Sequence, residues 1–285
     1  NDLMKNYSQR PGEISESPGL PFWKKVDVVD LAYVGYGLLI VTLVVVSYSL
    51  GSFHLLTRDP QDIDLGLMNA PPGTTGHLFG TDFMGRDMLS RLIVGIQGYF
   101  LPGLLAIFIA LFFGTILGVF AGYRGGKFDT GITYFTNLVD SFPRLVLILL
   151  VISAFKPDIY YIMLVVGFTN VAVATSLIKG KIQFLKQKNF IEADTALGLP
   201  TRMIILKHIL WHNCRSLLII QATLGMGEAI LMETSLSYLG FGVQEPTPSW
   251  GNMVQSGANY FMKGQFWPST APALAILFTI LGFHL

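Results

Sequence analysis

The sequence predicts an all-α membrane protein with six transmembrane helices. Of the 285 residues, 52% are hydrophobic and 13% are charged, against about 25% charged in an ordinary soluble domain. The mean hydropathy is +0.54, and several stretches reach the ~20 apolar residues that a helix needs to cross the hydrocarbon core. This composition is typical of a membrane protein and argues strongly against a water-soluble globule.

Six stretches have the length and composition of a membrane-spanning helix. The first, second and fourth contain no charged residue, whereas the third and the fifth each carry two ionisable side chains. The predicted spans are Leu31–Phe53, Tyr99–Gly122, Thr130–Phe155, Ile159–Ile178, a fifth that begins near Ser216, and a sixth that follows Trp267-Pro268 and runs to Leu285. A Lys156-Pro157-Asp158 turn separates the third span from the fourth.

The four ionisable residues within these spans are candidates for lining a translocation pathway. Charges in a membrane span normally face a cavity, form pairs or lie at an interface. Asp140 and Arg144 are four residues apart, so an ion pair within one helix is the alternative interpretation. Glu228 and Glu233 are five residues apart and are expected to point to different faces.

The distribution of Lys and Arg predicts that both ends of the chain lie in the cytoplasm. Thirteen of these residues fall on the inner side of this topology and five on the outer side, as expected when cytoplasmic loops carry the positive excess. The predicted organisation is a cytoplasmic tail at 1–30, a first span at 31–53, an outer loop at 54–91 and a core at 92–285. The chain begins with Asn1 and stops within an apolar run, so we expect both ends to be trimmed.

The inner segment 179–215 within this core is predicted to form two short helices joined by a tight turn. Gly198-Leu199-Pro200 supplies the stop signal, because Gly suits the left-handed cap and Pro cannot continue a helix. The first helix presents Glu192 and Asp194 beside apolar residues and the small Ala193. This pattern favours a docking surface for a partner, and the alternative is a helix that only rests on lipid headgroups.

The outer loop is predicted to be ordered against the membrane. It is rich in Pro, Gly, Asp and Thr and lacks a sustained apolar period, which is typical of a structured loop. Asp82 can cap a helix that begins near Phe83. The apolar face of that helix, leading into the second span, consists of Leu89, Leu92, Ile93 and Ile96. We therefore expect this loop to contribute to an outer gate or to the seat of a binding partner, and the alternative is a loop that only connects the first two spans.

Several other functions find little support in the sequence. A net charge of +1 gives no basic excess for nucleic acid. His208 and His212 lie near Cys214 but lack a further ligand at convincing spacing, so no metal site is predicted and the histidines are interpreted as interfacial. Lys127 lacks the surroundings of a Walker A motif, and no catalytic constellation is evident, so the chain is not expected to be an enzyme. A secondary transporter or channel, and a non-transporting scaffold, are the rival classes.

Three motifs in succession resemble one known family. The segment from Asn189 to Pro200 resembles the cytoplasmic EAA loop of ABC-importer permeases, with Asp194 in place of the second alanine. The segment from Phe79 to Arg91 resembles the GTD-x-x-GRD-x-x-SR segment of the dipeptide and oligopeptide subfamily. The segment from Leu239 to Gly251 resembles the LG-x-G-x-Q and PTP-x-WG segments of that subfamily.

This resemblance implies a type I ABC importer permease fold in a bacterial cytoplasmic membrane, as the C-type subunit of a dipeptide or oligopeptide importer. The implied partners are a second homologous permease subunit, two ABC ATPase subunits that hold ATP and magnesium, an extracytoplasmic solute-binding protein and membrane lipid. No cofactor is expected on this chain. The alternative cargo is nickel, a metallophore or another small solute of the same branch. The implied ATPase-docking residues of the coupling helix are Glu192, Ala193, Asp194 and Gly198, and the implied extracytoplasmic motif residues are Gly80, Thr81, Asp82, Gly85, Arg86 and Asp87.

Overall fold

The computed structural model describes residues 28–52, 58–155 and 158–285, and every regular element in these ranges is helical. The helices are α1 Val28–Ser52, α2 Met88–Gly95, α3 Phe100–Val119, α4 Gly126–Asp140, α5 Arg144–Ala154, α6 Ile159–Lys186, α7 Asn189–Ala196, α8 Thr201–Met203, α9 Arg215–Tyr238, α10 Trp250–Phe261 and α11 Trp267–His284. Most of the predicted tail, residue Phe53 and the Lys156-Pro157 part of the predicted turn lie outside the described residues.

The predicted all-helical membrane architecture is confirmed at the level of four or five candidate spans. Four helical stretches among the described residues are long and apolar enough to cross a membrane, and the bent pair of α4 and α5 adds a fifth. In hydrocarbon every backbone polar group must be paired within the protein, and a helix achieves this within one segment.

The predicted third span is not one continuous helix. α4 ends at Asp140, α5 begins at Arg144, and the two helix axes meet at 76°. Pro143 explains the break, because proline has no N–H to donate and disfavours a helical conformation for the residue before it. The bend falls at Ser141-Phe142-Pro143, within the predicted span, and the two helices pass together as one bent candidate span.

The fifth span begins earlier than the sequence suggested. One helical stretch runs from Thr201 through a π-helical segment, Ile204–Cys214, into α9 and ends at Tyr238. The fourth span also continues past its predicted end, because α6 extends to Lys186. The sequence prediction covered only the uncharged apolar parts of these helices.

Two elements at the outer side differ from the prediction. The helix expected from Phe83 with Asp82 as its cap begins instead at Met88, where the Asp87 side chain accepts a hydrogen bond from the backbone N–H of Ser90 at 2.8 Å. α10 was not predicted. Its start is fixed by a reciprocal capping box between Ser249 and Asn252.

A stripe of glycines allows α3 to pack tightly on α6. A Cβ atom added at Gly114 would lie 2.5 Å from the Cβ atom of Ala174, and one added at Gly118 would lie 2.9 Å from that of Ile178. Gly122 faces Ile182 at a similar distance. Small residues at four-residue spacing are the usual means by which membrane helices approach closely.

We predict that Gly118→Leu will destabilise the protein by roughly 2 kcal/mol, because a large side chain cannot enter this interface without displacing α6. Thermal unfolding of the purified protein in detergent measures the effect. Gly180→Leu is the matched control, since no atom lies within 4 Å of a Cβ added there. Equal unfolding temperatures for the two variants would contradict the close packing of α3 on α6.

Candidate functional site

The inner helix α7 is anchored by one buried side chain and ended by a glycine. Ile191 is buried in an apolar cluster that includes residues of α6 and of the π-helical segment. Gly198 has φ +74°, its N–H donates to the carbonyl of Thr195, and the N–H of Leu199 donates to the carbonyl of Asp194. This pair of bonds is a Schellman ending. It turns the chain directly into the helix that begins at Thr201, as the sequence predicted.

A hydrogen-bonded contact between two side chains ties α7 to that following helix. The Oδ2 atom of Asp194 contacts the Nδ1 atom of His208, and both side chains are mostly buried. Asp194 is therefore not the freely exposed acidic edge that the sequence suggested. It fixes the angle between α7 and the helix that continues into the membrane.

The opposite face of α7 is open to solvent. Glu192 and Ala193 are exposed, and Glu192 makes no ion pair or hydrogen bond with a side chain in the described part of the protein. Leu197 is 78% exposed, and Trp211 on the next helix is 67% exposed. α7 and the start of the next helix thus expose both an acidic and several apolar side chains, a composition that favours a partner-docking surface.

The two histidines and the cysteine near α7 do not converge. His208 is engaged by Asp194, the Nδ1 atom of His212 contacts the backbone carbonyl of Lys207, and Cys214 is buried in the apolar cluster. Among the described residues, no group of three or more His, Cys, Asp or Glu could hold a metal ion.

At the outer side, two glycines let the 58–87 loop fold back on itself. Gly80 and Gly85 have φ values of +74° and +78°. A Cβ at Gly80 would lie 2.3 Å from the carbonyl oxygen of Ala70, and one at Gly85 would lie 1.7 Å from that of Asp64. Thr81 holds the fold in place, since its hydroxyl accepts the N–H of Ala70 at 2.8 Å.

The loop closes around a cluster of four charges. The Oδ2 atom of Asp82 lies 2.7 Å from the Nε atom of Arg86, while Nη1 of Arg86 lies 2.7 Å from Oε2 of Glu245. The Nη2 atom of Arg91 lies 3.0 Å from Oε1 of Glu245. Both arginine side chains are at most 3% exposed. Two cations and two carboxylates balance, so the cluster stabilises a buried junction that unpaired arginines would disrupt.

Sequence reasoning missed Glu245. It lies 154 residues after Arg91, and a motif match does not reveal which distant carboxylate neutralises an arginine. The sequence did contain one signal, the charge balance of the outer motif. Two arginines, Arg86 and Arg91, require a second carboxylate besides Asp82 to be neutralised. Asp87 is occupied elsewhere, since its Oδ1 atom lies 2.9 Å from the Nδ1 atom of His77.

Aromatic side chains fasten the outer loop to the last two helices. The indole N–H of Trp267 donates to the carbonyl of Thr81 at 3.3 Å, and that of Trp250 donates to the carbonyl of Leu92 at 2.8 Å. The predicted apolar face of α2 lies against α1 and α11, where one groove is lined by Leu89, Leu92, Ile93 and Ile96 together with residues of those helices. The loop is thus a packed part of the bundle.

The ionisable residues of the spans separate into two environments. Arg144 at the start of α5 forms an ion pair with Glu228 of α9, and both side chains are about 30% exposed, at 27% and 31%. Asp140 is exposed at the end of α4. Glu233 is fully buried and accepts the Ser237 hydroxyl at 2.6 Å.

Two expectations about these residues need correction. Asp140 and Arg144 do not form the predicted pair within one helix, because the helix breaks between them and Arg144 turns to Glu228. Glu233 has no exposed surface among the described residues, whereas Glu228 is partly open. As the spacing suggested, the two glutamates have different surroundings.

Comparison with known proteins gives one consistent result. The family described as "Binding-protein-dependent transport system inner membrane component" matches residues 114–285. A probable D,D-dipeptide transport system permease protein of Escherichia coli K12 is 37% identical over 81% of this chain and 76% of its own length.

Two further relatives differ in the cargo that their names state. An oligopeptide transport system permease protein of Haemophilus influenzae is 36% identical over 79% of this chain and 72% of its own length. A glutathione transport system permease protein of Escherichia coli O6:K15:H31 is 32% identical over 97% of this chain and 89% of its own length.

We predict that Glu245→Gln will destabilise the protein by about 1–2 kcal/mol, because it removes a charge that two buried guanidinium groups share, although water screens part of the effect at this partly exposed carboxylate. Thermal unfolding in detergent measures the loss. Glu192→Gln is the matched control, because that carboxylate is exposed. If the two variants unfold at the same temperature, the charge cluster does not stabilise the outer loop.

Proposed function

The chain belongs to the family of binding-protein-dependent transport system inner membrane components, and we propose that it carries short peptides inward as one of two permease subunits of an ATP-driven importer. The dipeptide, oligopeptide and glutathione cargoes in the names of its relatives support peptides as the substrate class. The observation that carries the proposal is the docking surface on α7, since a permease without a nucleotide site needs a partner that hydrolyses ATP. Magnesium and ATP belong to that partner.

The proposed topology has six spans with both termini in the cytoplasm. The bent pair of α4 and α5 counts as one span, and α11 supplies the sixth. α11 has 18 residues and contains no Asp, Glu, Lys or Arg, so it reaches about 27 Å at 1.5 Å per residue. Lys179, Lys186 and Lys188 lie at the α7 end of the bundle, which supports a cytoplasmic location for α7.

Two ATPase subunits would dock on the α7 surfaces of the two permease subunits. In this proposal Glu192, Ala193 and Leu197 contact the ATPase, Asp194 holds the angle of α7 through His208, and Gly198 makes the turn. Because Ile191 anchors α7 in the inner cluster, a shift of the ATPase would move α7 together with the adjoining ends of two spans. Such a rigid-body displacement is the kind of change that alternating access requires.

A solute-binding protein would deliver the peptide to the outer face. The loop with Gly80, Thr81, Asp82, Gly85, Arg86 and Asp87 is held by its charge cluster and by two tryptophans. A surface fixed in this way can receive a partner with little loss of conformational entropy. We therefore assign the seat of the binding protein, or part of the outer gate, to this loop.

We predict that Glu192→Lys will uncouple ATP hydrolysis from transport, because it reverses the charge at the centre of the proposed docking surface and leaves the spans unchanged. ATP hydrolysis and peptide uptake by the assembled transporter in proteoliposomes are measured together. We expect the number of peptides imported per ATP to fall at least severalfold.

Lys263→Glu is the matched control for this variant, because it reverses the charge of an exposed residue outside both α7 and the 58–87 loop. The proposal requires that the control keep the wild-type coupling ratio. Wild-type import by Glu192→Lys, at normal insertion into the membrane, would show that α7 only rests on lipid headgroups.

A further inference from the structure

The break between α4 and α5 places three charges together in the bundle. Arg144 pairs with Glu228, whereas Asp140 forms no ion pair with a residue in the described ranges. The three side chains therefore sum to a net charge of −1. Asp140 also stands at the carboxyl end of α4, where the backbone dipoles add partial negative charge.

In the proposed topology these charges lie within the membrane spans. Asp140 is 14 residues above Gly126 at the start of α4, a rise of roughly 21 Å. Glu228 lies further still from the start of its helical stretch at Thr201 and ten residues, or roughly 15 Å, before the end of that stretch at Tyr238. Both positions are far from the cytoplasmic ends of their helices.

The exposed side of this charge cluster is poorly suited to contact with lipid. Arg144 and Glu228 are each about 30% exposed, and Asp140 is exposed. A charged side chain near the bilayer centre costs at least ~2.5 kcal/mol when it faces hydrocarbon. The open side of the cluster must therefore face a polar space. Broken helices with charges at their ends line such spaces in membrane transporters.

We propose that Asp140 binds the ammonium group of a peptide as it passes through the pathway, an inference that rests on the proposed function. The cluster holds two carboxylates and one guanidinium group, so one negative charge is unbalanced, and the Asp140 carboxylate is the more exposed of the two. A carboxylate at a helix carboxyl end attracts a cation and repels a second carboxylate. The site thus favours substrates with a free amino terminus.

Asp140→Asn tests this site in proteoliposomes that contain the assembled transporter and its binding protein. The probes are trialanine and N-acetyl-trialanine, each supplied as a saturating complex with the binding protein. Selectivity of the binding protein is the same for wild type and variant, so the change in the ratio of the two uptake rates reports on the permease alone. We expect trialanine uptake to fall about tenfold, the size of one charge-assisted hydrogen bond, with N-acetyl-trialanine uptake unchanged.

Asp140→Glu and Asp158→Asn complete the design. The first keeps the charge and should retain the wild-type preference for trialanine. The second removes an exposed carboxylate outside the 58–87 loop, at a helix cap that asparagine also fills, and should change neither rate. An equal fall for both peptides in Asp140→Asn would assign Asp140 a structural role and overturn the inference. No change in either rate would overturn it as well. Absence of ATP-driven uptake of both peptides by the wild type would instead overturn the proposed function itself.

Discussion

The cost of placing an unpaired polar group in hydrocarbon is the constraint on which the rest of this structure depends. It explains why all regular elements among the described residues are helices, and why α3 approaches α6 through glycines rather than through polar contacts. It also explains the location of the charges. Some charges lie at the ends of the bundle, and others meet at the break between α4 and α5. At the end that carries the 58–87 loop, four charges balance one another: Asp82, Arg86, Arg91 and Glu245.

The packing connects these polar regions mechanically. The helical stretch from Thr201 to Tyr238 contacts α7 through the inner cluster and carries Glu228 ten residues before its end. That end adjoins the loop that supplies Glu245 to the outer charges. A displacement of α7 would thus act on one end of a helix whose other half pairs with Arg144. This arrangement gives the proposed transport cycle a physical route from the docking surface to the pathway.

The sequence predicted most of the architecture because long apolar stretches and turn signals are local properties. Gly198 ends α7 as predicted, because a glycine in the left-handed conformation two residues before a proline is a local stop signal that can be recognised without knowledge of tertiary contacts. The predictions that were wrong depended on tertiary contacts between side chains. Asp87 rather than Asp82 caps α2, because Asp82 is held by Arg86, and Arg144 pairs with Glu228, 84 residues away, instead of Asp140. The sequence did not predict α10, because its apolar face is short and its start depends on the Ser249–Asn252 capping box. The docking and pathway roles of these residues stay predictions.

Water access to the helix break tests the central claim most directly, which is that charges in the spans face a polar pathway. Ser141 is exposed between α4 and α5, and the single native cysteine, Cys214, is buried and can be replaced by alanine. In that background, Ser141→Cys in the assembled transporter should react rapidly with a membrane-impermeant thiol reagent, while Phe112→Cys, at an exposed apolar position of α3, should react slowly. Equally slow reaction at both positions would show that the break faces lipid or protein, and would contradict the account.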